Sequence, residues 1–373
     1  MDITKTKHYS WCAGQLSEGC RKCVQGRKLV LFITGICPQK CFYCPVSEHK
    51  FGHDVVYANE WKIENPENPV ELFEEARLTQ ATGAGITGGD PLANVERCCK
   101  YIRLLKERFS KRFHIHLYTS LMLVTKERLQ KLYDAGLDEI RFHPDLDDDK
   151  LWNNLKLAKT FGWKTGVEIP AIPGYEEKTK KLIDFIADKV DFLNLNELEL
   201  SDTEIPHFKL REKGFKPKDN VSYGVGGSEK TAFELAEYAF RKKLPVHFCT
   251  AKLKDGVQMK NRFKLRAQMV GQPYDIITEE GLLIRGCIYL PDTAPASKIP
   301  KQENITGRLN DALEKLNFLK ADKTVIDEKK GRIVIPKSHA RQYSKQIKKA
   351  GLVPAIVEEY PTVDGLEVDV EYV

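Results

Sequence analysis

No run of about 20 apolar residues, the length a membrane-spanning helix needs, occurs in this chain; the longest, 29–37, is broken by Thr34 and Gly35. A helical membrane span is therefore excluded. The opening residues Met1-Asp2-Ile3-Thr4-Lys5-Thr6-Lys7 lack the apolar core of a secretion signal, so a cytoplasmic protein with no membrane partner is expected. Internal repeats and low-complexity tracts are also missing, which excludes a solenoid. Nor is there a large charge of one sign: 59 basic against 53 acidic residues leave a net +6, which permits an anionic partner without demanding one. What is present is a chain of 373 residues, 42% hydrophobic, 9% aromatic and 30% charged. That describes a folded protein of two domains, or one large barrel with an appendage. Its ten cysteines read as metal ligands, reactive thiols or small core residues, because structural disulfides are rare in the cytoplasm.

Between residues 28 and 249, short apolar runs alternate with longer amphipathic ones, the rhythm of repeated βα units. Strands are expected at 28–36, 83–87, 114–119, 139–142, 165–169, 192–196 and 245–248. Helical patterns lie between them at 70–79, 95–109, 125–135, 151–160, 178–189 and 229–242. The fold class is therefore α/β, a full or partial (βα) barrel of six to eight units, whose functional loops lie at the C-terminal ends of the strands. Pro291, Pro295 and Pro300 amid small polar residues mark a linker. The expected division is a Cys-rich metal-binding segment 1–27, a barrel 28–288, a linker 289–304 and a small C-terminal α+β domain 305–373. The last holds a helix 305–319, a hairpin 324–336, a helix 338–350 and strands 353–360 and 366–372.

The sharpest local signal is Gly35-Ile36-Cys37-Pro38-Gln39-Lys40-Cys41-Phe42-Tyr43-Cys44-Pro45, a C-x3-C-x2-C loop directly after the first strand. Three thiolates this close can wrap one [4Fe-4S] cube and leave its fourth iron open to another ligand, a catalytic arrangement. The alternative is structural zinc, which favours closed four-ligand sites and would need a distant fourth cysteine. The loop resembles that of the radical S-adenosylmethionine superfamily, and the resemblance covers the whole barrel. It implies that Cys37, Cys41 and Cys44 hold the cluster, that S-adenosylmethionine chelates its open iron, and that Tyr43 packs near the adenine.

Thr87-Gly88-Gly89-Asp90-Pro91 ends the second strand and is similar to the family's Gly-Gly-Glu motif. The resemblance implies that Gly88, Gly89 and Asp90 engage the methionine amino group, the glycines letting backbone approach the cofactor. Asp90 stands where glutamate is commoner and has a shorter reach. Pro170-Ala171-Ile172-Pro173-Gly174-Tyr175-Glu176-Glu177 is similar to the family's adenine motif, with Pro170 in place of its first glycine, and places Ile172 on the adenine. Thr119 and Ser120 after the third strand, and His143 after the fourth, stand where the family often sets polar residues near the ribose and carboxylate. A lone histidine at a strand end is more often a structural residue than a ligand, and only its place in the barrel raises His143 above that.

Cys12, Cys20 and Cys23 form C-x7-C-x2-C upstream of the barrel and read as a second metal site, closed by Cys249 or, as runner-up, Cys287. A second Fe-S cluster is expected there, with a zinc site as the alternative. Cys98 and Cys99 lie on an amphipathic helix and read as core. Glu168, Asn194, Asn196 and His247 are the expected substrate residues, since polar groups at a barrel mouth face the ligand. The implied reaction is reductive cleavage of S-adenosylmethionine to a 5′-deoxyadenosyl radical acting on a macromolecule. An electron donor such as ferredoxin or flavodoxin is its expected partner. Two basic stretches, Lys252 to Arg266 and Lys329 to Lys349, make RNA one candidate substrate, against which stand solvation of the tail's basic helix or its pairing with the acidic residues of 358–371. A protein, as for enzymes that activate glycyl-radical enzymes, is the second candidate. A non-catalytic Fe-S electron carrier or redox sensor is the reading from a different class.

Overall fold

The computed structural model describes residues 3–220, 222–319 and 321–373, so the first two residues of the expected N-terminal segment lie outside it. The chain divides into two compact units, Met1–Arg262 and Phe263–Val373. In the first unit, seven parallel strands are arranged in one curved sheet: β2 Lys28–Phe32, β3 Gly83–Thr87, β4 His114–Thr119, β5 Glu139–Phe142, β6 Lys164–Ala171, β7 Phe192–Glu197 and β8 Val246–Cys249. An N-terminal strand, β1 Trp11–Ala13, pairs antiparallel with β8, and a hairpin, Val56–Ala58 and Trp61–Ile63, extends the other edge from β2. Since β2 and β8 do not pair with each other, the barrel is partial.

Alternation along each strand sets two different faces. Outward residues such as Leu29, Leu31, Ile115, Ile140, Ile169, Leu193 and Leu195 are fully buried under the helices, each contributing about 1.5–3 kcal/mol on burial. The covering helices include α3 Val95–Phe109, where Cys98 and Cys99 are buried core residues. Another, α4 Lys126–Ala135, begins where Thr125 accepts a hydrogen bond from Arg128 N and stops at Gly136 in the left-handed conformation.

The inward face is polar. Across the strand register Cys12 lies beside His247, His247 beside Asn194, and Asn194 beside Glu168. A short helix, α1 Glu18–Val24, packs against these residues inside the barrel. A Cβ on Gly19 would stand 2.5 Å from the Arg141 guanidinium and 2.6 Å from His116 Nδ1, so only glycine lets the helix lie that close.

The second unit is a six-stranded sheet carrying helix Ile305–Lys315 and the shorter helices Lys337–Gln342 and Ser344–Lys349. Its central strand, β9 Leu283–Tyr289, pairs antiparallel with both Arg332–Ile335 and Val353–Glu359. This moves the expected boundary: 283–289 is not the end of the barrel, and the second unit begins at Phe263. Cys287 on this strand is fully buried in the unit's own core, which removes it as a ligand for the N-terminal cysteines. The expected helix 151–160 is only a 3-10 turn, Trp152–Asn154, and a single helical turn, Leu155–Ala158. Among the described residues no helix is long and apolar enough to cross a membrane.

Three of the basic tail residues are engaged by carboxylates within this unit. Arg332 is 1% exposed and held by Asp327, Glu359 and Glu367. Lys330 pairs with Glu359 and Glu367, and Arg341 with Glu371.

Candidate active site

A cavity of about 650 Å³ opens at the C-terminal ends of the parallel strands. Its rim includes Cys37, Cys41 and Cys44, with Tyr43, Gly88, Gly89, Thr119, Ser120 and His143 beside them. Its wall also carries Lys28, Tyr118, Arg141, Glu168, Asn196, Glu197, Glu199 and Lys254.

The cysteine loop is held by the turn that follows β3. Gly89 N donates to Thr34 O at 2.8 Å and Asp90 N to Ile36 O at 2.9 Å. A Cβ on Gly88 would stand 2.4 Å from Thr34 O, and one on Gly89 would stand 2.6 Å from Ile36 O. The glycines therefore permit close approach of the cysteine loop, and both also line the cavity, where contact with the cofactor was expected. Gly89→Val is accordingly expected to displace the loop, lowering the iron bound on reconstitution as well as affinity for S-adenosylmethionine; wild-type iron content would contradict this.

All ten cysteines are free thiols. Burial pushes Cys37 up to about 11 and Cys41 up to about 12, and for Cys41 the neighbouring Cys44 and Cys37 act in the same direction. Cys44 is likewise raised by burial. Three half-buried sulfurs whose charges oppose one another are a donor set suited to a cationic cluster, which binds them as thiolates and releases their protons.

Asp90 does not line the cavity. Its fully buried carboxylate accepts from Leu92 N at 3.0 Å, Thr119 Oγ1 at 2.7 Å, Ser120 N at 3.2 Å and Ser120 Oγ at 2.5 Å. Thr119 and Ser120 thus turn their hydroxyls toward Asp90, and the three residues tie the glycine turn to the end of β4. Ile172 is also withdrawn: it is fully buried in the apolar core, and Pro170, on the same face as Glu168, takes the lining position.

His143 Nδ1 lies 2.8 Å from Glu168 O, which can only accept, so Nδ1 carries the proton and Nε2 accepts from Tyr43 OH at 2.9 Å. Burial lowers the His143 pKa and raises that of Tyr43 well above its usual value, so both remain neutral. This chain fixes the Tyr43 ring beside the cysteine loop.

Glu168 is the hub of the cavity wall. Arg141 Nη1 reaches its Oε2 at 2.7 Å, Asn194 Nδ2 the same oxygen at 2.8 Å, and Asn196 Nδ2 its Oε1 at 3.0 Å. Burial acts against ionisation, but Arg141 and the two amides outweigh it and hold the carboxyl down at about 2. Arg141 also binds Glu139 Oε1 at 2.6 Å through Nε, Tyr118 OH at 3.0 Å and Ser17 Oγ at 2.8 Å. Glu197 accepts from Lys218 Nζ at 2.5 Å and from Ala251 N at 2.8 Å. Tyr118 and Arg141 belong to the two strand ends, 118–120 and 141–144, from which polar residues near the cofactor were expected, and Lys254 was expected only as part of a basic stretch. Lys28 was not expected at the site; strand alternation was its available signal, since it lies two residues before Val30 on the lining face.

Asn194, His247 and the N-terminal cysteines do not line the cavity, although Asn194 and His247 were expected at the substrate. They meet below it. Asn194 Nδ2 also approaches Cys20 Sγ at 3.3 Å. Burial pushes the Cys20 thiol up, yet Arg141 and His247 outweigh that and bring it down to about 6. Burial raises Cys249 far above the usual thiol range.

A family model of the radical SAM superfamily matches residues 31–186, and a domain family of unknown function matches 281–372. A Methanocaldococcus jannaschii protein that bears the name of a glycyl-radical enzyme activating enzyme is 40% identical over 367 residues, 95% of this chain and 92% of that protein. The PqqA peptide cyclase of Bradyrhizobium diazoefficiens is 23% identical over 198 residues, 50% of this chain and 48% of that protein. Among solved structures, methylornithine synthase aligns with a TM-score of 0.37 at 14% identity, over 62% of this chain and 75% of that one. The match over nearly the full length of a 40% identical relative, together with the family model across the cysteine loop and the strands after it, places this chain among the radical SAM enzymes, which work with a [4Fe-4S] cluster and S-adenosylmethionine.

Proposed function

We propose that this enzyme activates a protein partner by abstracting hydrogen from a glycine Cα. The observation that carries the reading is the relationship to the Methanocaldococcus jannaschii protein over 92% of that protein's length. In this reading Cys37, Cys41 and Cys44 bind the cluster, Gly88 and Gly89 bring the glycine turn against their loop, and Tyr43, fixed by His143, lies against the adenine. Thr119 and Ser120 support the site through Asp90. When bound, the cluster and S-adenosylmethionine supply one-electron cleavage to a 5′-deoxyadenosyl radical, with the electron coming from a ferredoxin or flavodoxin.

The chain's own residues do the positioning. Glu168 and Asn196 present fixed polar groups at the cavity wall, and Glu199 with Lys254 faces them as an ion pair. Water exclusion from the site protects a reactive intermediate. A protein substrate is favoured over RNA by the relationship to the Methanocaldococcus jannaschii protein, and Lys330, Arg332 and Arg341 of the basic tail are engaged by acidic residues. Cys12, Cys20, Cys23 and Cys249 stand outside the cavity and are kept in this proposal for a second Fe-S cluster.

The test is anaerobic incubation of reconstituted enzyme, S-adenosylmethionine and reductant with cell protein labelled by Cα-deuterated glycine. Deuterium in the 5′-deoxyadenosine, with a glycyl-radical EPR doublet, is expected. Formation of 5′-deoxyadenosine without deuterium would move the substrate away from a protein glycine.

A further inference from the structure

The lumen below the cavity holds a second group of metal-binding side chains, arranged as two facing pairs. Cys20 and Cys23 lie one helical turn apart on α1 and therefore share a face. His247 and Cys249, two residues apart on β8, share the inward face of the sheet. Each helix residue meets a strand residue. Cys20 Sγ accepts from Asn194 Nδ2 at 3.3 Å, and Asn194 is the register neighbour of His247; Cys23 Sγ donates to Gln258 Oε1 at 2.8 Å while Gln258 Nε2 points at Cys249 Sγ at 3.8 Å.

His247 supplies an independent sign of a ligand. It is 5% exposed, and neither ring nitrogen meets a partner at hydrogen-bond distance and angle, although the Cys20 thiol is near enough to feel its charge. A buried imidazole with both nitrogens unsatisfied is costly, and a metal bond to one of them removes part of that cost. Resting on the reading of the lumen cysteines as a second cluster, we propose that this cluster is bound by Cys20, Cys23, Cys249 and His247. This narrows the set of four cysteines: Cys12, the register neighbour of His247 on the edge strand, belongs to neither facing pair. A histidine among thiolates is an accepted Fe-S donor set.

The spacing favours a cluster over one zinc ion. The Gln258 carboxamide stands between Cys23 and Cys249, whereas zinc draws its sulfurs to about 2.3 Å from one centre. Among the described residues no three His, Cys, Asp or Glu side chains converge on a single-ion site. Gln258 belongs to a π-helical turn, Lys254–Met259, an irregularity frequent at functional sites.

Two measurements separate the second cluster from its ligand assignment. Iron, sulfide and zinc are counted in anaerobically reconstituted Cys37→Ala/Cys41→Ala/Cys44→Ala protein, which removes the catalytic set and leaves the lumen. Iron and sulfide are expected to remain; their complete loss, or zinc in their place, overturns the second cluster. In the same background His247→Ala is expected to lose iron or shift the EPR g values, while Cys12→Ala retains both. The reverse pattern overturns the ligand assignment and leaves the cluster standing. His247→Cys distinguishes ligand loss from misfolding: iron is expected to return with an altered EPR spectrum, and failure to return in a variant with native circular dichroism overturns the role of His247.

Discussion

Replacing any one of Cys37, Cys41 and Cys44 by alanine is expected to reduce 5′-deoxyadenosine formation to the level of a protein-free control. Each sulfur belongs to a set of three that lines one cavity, and burial raises all three thiols. A cluster with three protein ligands and one open iron has no spare ligand. Loss of one therefore removes both the cluster and the iron that S-adenosylmethionine chelates. Cys99→Ala is the control, because that thiol is fully buried in the apolar core, away from the cysteine loop. The assay is chromatographic quantification of 5′-deoxyadenosine after anaerobic reconstitution. Turnover surviving all three loop substitutions would remove the assignment.

Arg141→Met should produce the largest loss of stability. The Arg141 side chain is 2% exposed and pairs with Glu139 at 2.5 Å and Glu168 at 2.7 Å. Removing the cation leaves two carboxylates in the barrel without their counter-charge, which costs roughly 3–5 kcal/mol. The deficit depends on pH with a definite sign. In the native protein Glu168 titrates at about 2 against an ordinary 4.5. Its stabilisation is thus present above pH 4.5 and is lost as the pH falls toward 2. The variant should accordingly be weakest relative to the native protein above pH 4.5, with the gap narrowing on acidification. Urea unfolding of both proteins at several pH values measures this. A gap that is small at neutral pH, or that widens in acid, would contradict the picture.

The sequence by itself determined the elements whose cause is local. Apolar runs of strand length separated by helical periodicity placed all seven parallel strands of the partial barrel to within a few residues, because side-chain alternation and helix amphipathicity act over neighbouring positions. The C-x3-C-x2-C loop was legible for the same reason: its three thiols are close in space because they are close in the chain.

What only the tertiary structure decided are the pairings between distant segments. Asp90 was expected at the cofactor but bonds Thr119 and Ser120, 29 and 30 residues away. A buried carboxylate takes the nearest donors whatever their separation in sequence. Leu283–Tyr289 was expected in the barrel and became the centre of the second sheet, since its strand partners, Arg332–Ile335 and Val353–Glu359, come later in the chain. The same applies to His247, Asn194 and Cys20. Their meeting below the cavity required α1 to enter the barrel, and that depends on Gly19 lying against Arg141 and His116, a steric fit between side chains of three separate elements that no local pattern encodes.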